Sequence, residues 1–302
     1  MMSLLKSLGA VNTMYNLVSL IKRNIKVYLR DKASVFFSFL SVIILLALYF
    51  LFLGRQYTSG SSFDGLSDEL KTFLSVGVIM GGVLVINTVS LSLGVMGSIV
   101  ADLETRRLDG FLVTPIERFK ISLAYYISAI LVTAAFTLMM WFITILYVGL
   151  FSGYWYHIDT IIYASLLILL FTFISSAMML FLVTLLKSQN AFGALAGVLG
   201  TVIGFMSGIY MPLEVLGPGM TKVASLNPFT HMTILLKKVL LKEPFSLLNP
   251  MLAEGLESPY GTLNIGVFGL NIPLVYLILG ALLLAFIFLF LSYRNMNRKM
   301  RK

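Results

Sequence analysis

Eight charged side chains fall within the nineteen residues from Asp102 to Lys120: Asp102, Glu104, Arg106, Arg107, Asp109, Glu117, Arg118 and Lys120. Thr72–Ala101 before them and Ile121–Ile158 after them contain no Asp, Glu, Lys or Arg. A charged island between two apolar runs of that length must sit outside a bilayer. Carboxylates and guanidiniums interspersed in this way suit a specific, switchable protein contact, with Phe111, Leu112 and Val113 as an apolar anchor. Pro115 can start a new helical turn or break the old one. The plainer alternative is a solvated loop that only joins two spans.

Other chemistry is sparse. There is no cysteine, so neither a disulfide framework nor a thiolate metal site is possible. The two histidines, His157 and His231, are far apart in the chain, and His231 has no nearby acidic partner in sequence. No G-x-x-x-x-G-K-[ST] phosphate loop, H-E-x-x-H pair or nucleophile elbow occurs. No catalytic or metal-ligating set is expected, and the chain should not hydrolyse ATP itself. The apolar runs hold only mild polar groups: Asn87, Thr88, Ser90 and Ser92; Thr133, Thr137 and Thr144; Thr172, Ser175 and Ser176. Asn87, Thr133 and Thr137 either line a substrate path or bond to neighbouring helices. A mid-span Asn in particular is costly without a partner. The absence of ionisable groups from the spans lowers the case for an ion-coupled carrier.

The elements that carry these residues are membrane helices. The 302 residues are 59% hydrophobic and 12% charged, with mean hydropathy +0.95, whereas a soluble domain carries about 25% charged residues. The expected fold is an all-α integral membrane protein, a single transmembrane domain over residues 1–302, with no room for a separate enzymatic domain. Residues 12–31 read as an amphipathic helix lying on the membrane. Met14, Val18, Ile21, Ile25 and Tyr28 form one face, with Asn16, Ser19, Arg23, Lys26 and Arg30 opposite. Spans follow at 33–53, 72–101, 121–150, 160–186, 191–211 and 271–292. The aromatic turn at 151–159 suits a membrane interface. Residues 212–270 form one long connection, with short helices predicted over Val215–Leu226 and Pro228–Leu241. Asn227 would cap the second, whose apolar residues are Met232, Leu235, Leu236, Val239 and Leu240, with Lys237 and Lys238 elsewhere. Residues 242–270 read as irregular.

Six spans put both termini on one side. That side carries sixteen Lys and Arg residues and the other six, so the net charge of +9 reads as topology rather than nucleic-acid binding. Both termini and residues 102–118 are expected in the cytoplasm of a cell membrane. Gly193, Gly197, Gly200, Gly204 and Gly208 recur along the fifth span. They make a groove for close helix contact, within the protomer or across a dimer.

The whole layout resembles the ABC-2 type permeases of ATP-binding cassette transporters. The interfacial basic helix, the six spans, the charged loop after the second and the long connection before the sixth all fit. The family typically shows acidic residues, Gly-Thr, Leu-Glu-x-Leu and Thr-Pro in that loop. Here stand Asp102 and Glu104, Leu108-Asp109, and Leu112-Val113-Thr114-Pro115, with Arg106-Arg107 where Gly-Thr is usual. Ser207–Gly219 and Ser225–Leu241 resemble the family's external segment with short re-entrant helices.

The resemblance implies a half-transporter. Two chains, identical or related, would form the pathway, each with a soluble ATPase subunit that supplies the ATP and magnesium sites. Residues 102–118 would be the coupling helix, with Asp102, Glu104, Arg106, Arg107, Asp109, Phe111, Leu112, Thr114 and Pro115 contacting the ATPase. It also implies export of a drug, antimicrobial peptide or lipid-like compound. An ATP-independent channel or carrier and a membrane-embedded enzyme remain the alternatives.

Overall fold

The computed structural model describes residues 2–36, 40, 63, 65–108, 110, 116–210, 213–267 and 270–299, with the backbone alone for 2–15, 214 and 216. Its elements, in order, are α1 (Met2–Arg30), α2 (Asp68–Glu104), α3 (Arg118–Ser152), α4 (Ile158–Leu185), α5 (Gln189–Met206), a 3-10 turn (Leu213–Leu216), α6 (Gly217–Ala224), α7 (Pro228–Ser246), α8 (Pro250–Glu257) and α9 (Leu274–Lys299). The protein is all-α. Five of the described helices, α2, α3, α4, α5 and α9, are long and apolar enough to cross a membrane. The span expected at 33–53 lies largely outside the described residues.

Local signals set the helix ends. Ser67 caps α2 by accepting from the Leu70 amide at 3.3 Å, and Asp68 and Glu69 complement the dipole of its first turn. Gly153, at φ 69°, closes α3 in the left-handed region. Asn227 accepts from the Phe229 amide and Pro228 opens α7, as its sequence predicts. The expectation of irregular chain after Leu241 is corrected: α7 continues to Ser246, and Asn249-Pro250 starts α8 by the same device.

Helix α2 is the hub. It packs against α1, α3, α4, α5 and α7, and 94% of its most apolar stretch is buried inside the protein, against 11% for α5 and 22% for α9. α1 also departs from expectation. It lies mainly against α3, burying Leu20, Asn24 and Tyr28, while Val18 is exposed and Arg23 turns inward from the predicted basic face.

The close glycine contact is on α2, not on α5. A Cβ on Gly77 would meet the Leu241 side chain at 2.9 Å, one on Gly81 the Lys237 Cα at 3.0 Å, and one on Gly82 the Ile209 side chain at 2.7 Å. α7 therefore lies backbone-close to α2, and Lys237, off the apolar set of that helix in sequence, is only 4% exposed. On α5, Gly193, Gly197 and Gly200 meet nothing within 4 Å among the described residues. Gly204 is covered by the Tyr210 ring, and Gly208 lies beyond the helix in a turn at φ 66°. In the aromatic turn, Tyr156 is buried against Phe73 and Trp141 while Trp155 is exposed.

The two glycine sets should respond differently to the same change. Gly81→Val overpacks the α2–α7 contact and should destabilise by about 1–3 kcal/mol. Gly197→Val should stay within about 0.5 kcal/mol for the isolated protomer. Thermal unfolding in detergent compares them, and equal losses would contradict this packing.

Candidate functional site

Helix α2 ends where the charged stretch begins. The Thr105 hydroxyl and amide both donate to the Ala101 carbonyl, and Arg106 adopts φ 55°, a left-handed conformation uncommon outside Gly and Asn. The reversal returns the Leu108 amide to the Asp102 carbonyl at 3.4 Å and tucks the Leu108 side chain into the core at 2% exposure. Residues 105–108 thus leave α2 as a compact knob.

Asp102 does not belong to the outer face of that knob. It is 2% exposed and pairs with Arg23 of α1. Arg23 Nη2 donates to Oδ1 at 2.9 Å, its Nη1 donates to Oδ2, and the Tyr125 hydroxyl of α3 donates to Oδ2 at 2.5 Å. Arg23 Nη1 also reaches the Asn24 side-chain oxygen and the Tyr125 oxygen. Its hydrogen bond with Asp102 holds the guanidinium pKa above its ordinary value, against the opposing effect of burial, so the guanidinium stays charged. One carboxylate therefore joins three helices at the root of the stretch. Its expected role as an ATPase contact is corrected to that of an anchor, because a buried carboxylate cannot meet a separate protein.

The remaining members divide. Glu104 is exposed but accepts from the Gln189 amide at 3.1 Å, placing a negative charge at the start of α5. Gln189 Nε2 in turn donates to the Gly97 carbonyl of α2 at 3.1 Å. Arg106 and Arg107 are exposed. Asp109, Phe111, Leu112, Thr114 and Pro115 lie outside the described residues. At the same end, Lys299 of α9 donates to the Leu186 carbonyl, and Phe119 packs edge-on against Tyr293 at 5.6 Å.

Two features lie deeper in the bundle. The first is a groove of about 520 Å³ between α2, α5 and the residues just after α1, within the usual size range of a small-molecule site. Ser90, Leu93, Ser98, Phe192 and Gly200 contribute to its walls, and Asp31 and Arg107 are its charged residues. The second is a polar ladder. Asn87 Nδ2 donates to Thr137 at 3.2 Å, Thr88 bonds Ser175 at 2.9 Å, and Ser92 bonds Ser176 at 2.8 Å and Thr133 at 3.2 Å. Asn87, Thr133 and Thr137 are fully buried and none of them lines the groove. The structure places them between helices, where such bonds join membrane helices that no hydrophobic drive holds together. Asn87 Oδ1 has no hydrogen-bond partner among the described residues.

At the opposite end of the bundle, the Glu243 carboxylate of α7 takes the His157 amide at 3.0 and 3.1 Å and the Thr160 hydroxyl, fixing α7 to the start of α4. His157 Nδ1 lies 3.2 Å from the same carboxylate. His231 is buried with Nε2 2.7 Å from the Ser225 carbonyl, and burial pushes its pKa below the ordinary histidine value. Among the described residues no group of three His, Asp or Glu could hold a metal ion.

The Arg23–Asp102 pair makes a direct prediction. Arg23→Met or Asp102→Asn alone should destabilise by about 2–3 kcal/mol, the low side for a buried pair because Arg23 keeps 28% of its surface. The double variant Arg23→Met, Asp102→Asn should lose less than the sum. Additive losses in a thermal-unfolding cycle would show that the two side chains do not act as a unit.

A search of curated proteins returns no match to the chain. The family model described as ABC-2 type transporter matches residues 15–241. That range covers about three quarters of the chain and takes in the α1 anchor, the hub helix, the knob, the groove and α7 up to Leu241. The chain is a member of the ABC-2 type transporter family, an integral membrane transport protein.

Proposed function

We propose that the chain is the membrane subunit of an ATP-driven exporter, paired with a separate ATPase and with a second permease chain. The match to the family over residues 15–241 carries the reading. In this arrangement ATP and magnesium bind the partner, and residues 102–118 receive its movement. The exposed Arg106 and Arg107 are the contact side chains. The buried Asp102 passes the load to α1 through Arg23 and to α3 through Tyr125. A push on the knob therefore moves three helices together rather than bending one loop.

The six-span topology with both termini in the cytoplasm rests on the excess of basic residues at the knob end. The second chain would sit on α5, the least buried of the five long helices, where Gly193 and Gly197 are exposed and leave room for a close backbone approach. The substrate would enter the groove between α2 and α5, whose mix of apolar side chains with Asp31 and Arg107 fits an amphipathic compound. A hydrophobic drug, an antimicrobial peptide and a lipid all have that character.

The chain purified alone should turn over no ATP. Reconstituted with its ATPase in vesicles, it should raise ATP turnover several-fold. Arg106→Glu with Arg107→Glu should weaken the complex about tenfold, since reversed surface contacts cost on the order of 1 kcal/mol, and at limiting ATPase concentration should remove most of that stimulation. Stimulation unchanged by the charge reversal would overturn the docking assignment. Substrate movement in vesicles holding this chain without an ATPase would favour a carrier instead.

A further inference from the structure

Lys237 is a buried cation. It lies on α7 at 4% exposure, and no ion pair reaches it among the described residues. Its one hydrogen bond runs from Nζ to the Gly208 carbonyl at 3.3 Å. Three glycines make this possible. Gly81 of α2 lets the α7 backbone close in, Gly208 turns the chain just beyond α5, and Gly261 passes so near that a Cβ there would lie 3.4 Å from Nζ. Gly208 and Gly261 both need positive φ, 66° and 68°. A single ammonium therefore sits where α2, the end of α5, α7 and the turn after α8 meet.

That arrangement is costly. An ammonium has three donors, of which one is used among the described residues, and burial of a charge penalises the folded state. Met or Leu would fill the same space without the penalty. What the ammonium adds is a charge-assisted bond, roughly twice as strong as a neutral one, to a carbonyl that the end of α5 leaves open. We propose that Lys237 is a positioning residue that latches the exit end of the transporter shut, and that its bond to the Gly208 carbonyl breaks whenever that end opens. This rests on the reading of the far end as the external, exit side.

The latch is pH-sensitive. Burial pushes the Lys237 amine down to about 8, against about 10.4 for a free lysine. The folded state therefore binds fewer protons than the unfolded state between these values. The burial penalty is complete below pH 8, and stability rises as pH goes from 8 to about 10.4. Other titratable groups near α7 are already engaged or face outward. Glu243 bonds His157 and Thr160, His231 bonds Ser225, Lys238 donates to Asn264, and Lys222, Lys242, Glu254 and Glu257 are exposed. On α2, Asp68 and Glu69 are exposed and Lys71 pairs with Asp68; Asp159 of α4 is exposed. Of the phenols on the elements around α7, Tyr156 and Tyr260 are buried, Tyr154 and Tyr210 half-buried, and Tyr163 of α4 and Tyr276 of α9 exposed.

The chain has no cysteine, so a single introduced thiol reports without background. Ser207 is 2% exposed and adjoins the latch, while Met220 on α6 is exposed. The test is labelling of Ser207→Cys by a membrane-impermeant maleimide, relative to Met220→Cys. It uses the full chain with its ATPase in vesicles, without nucleotide. At pH 7 the Ser207→Cys protein should be protected, and the ratio should rise several-fold by pH 9. Lys237→Met should label freely at pH 7 with no pH dependence, and should lose the rise in Tm between pH 8 and 10. Lys237→Arg, charged throughout, should stay protected at both pH values. Lys237→Met labelling with the protection and pH profile of the parent would overturn the latch. Because this readout needs neither substrate nor ATP, it stands apart from the exporter reading. That reading fails separately if adding ATP leaves the ratio unchanged in a chain whose latch behaves as described.

Discussion

A charge placed against apolar helix surface is stable only beside a partner, and at Asp102 this constraint shapes one whole end of the molecule. The carboxylate sits at the last turn of the most buried helix, with 2% of its surface exposed. Its partner comes from a residue 79 positions earlier in the chain. Satisfying it brings α1 against the bundle and draws the Tyr125 hydroxyl of α3 into the same cluster. It also fixes where the connection leaves α2, and so which charges face outward. Arg106 and Arg107 are available to another protein because Asp102 is not.

The two ends of α2 solve different problems. At the knob end, ion pairing and an amide cap by Glu104 join α1, α3 and α5 to it. At the other end, glycines at 77, 81 and 82 admit α7 and Ile209 into near backbone contact. Between them, small hydroxyls and Asn87 bond across to α3 and α4. A helix held along its whole length moves as a rod, which suits an element that carries movement from one face of a membrane to the other.

Much of this architecture was legible in the sequence because length and hydropathy alone decide a membrane span. Thr72–Ala101 holds no charge for thirty residues, and α2 covers it. Asn227-Pro228 announced α7. Asn249-Pro250 carries the same signal, but its setting among prolines and glycines masked it. The site was harder to read. A carboxylate at the end of an apolar run looks the same whether it meets water or an arginine from a distant helix. Arg23 fell on the polar side of an otherwise regular pattern, so nothing local marked it as turned inward. Glycine spacing on α5 gave a groove but could not say what fills it, while the filled groove on α2 is shorter and less regular. The burial of Lys237 was not legible because helical periodicity sets a Lys apart from the apolar residues without saying what covers it. Gly81, 156 positions away, makes the room that buries it.

The central claim is that energy enters this membrane protein through the α2–α3 connection. The most direct measurement places a photo-crosslinking residue at Gly110, the exposed position beside the knob where a side chain meets nothing within 4 Å. The protein is irradiated in the membranes of cells that make it natively, and the adduct is identified by mass spectrometry. The account predicts a covalent adduct with an ATP-binding cassette ATPase. Adducts only with lipid, or none with any ATPase while a control position at Leu263 behaves the same, would contradict it.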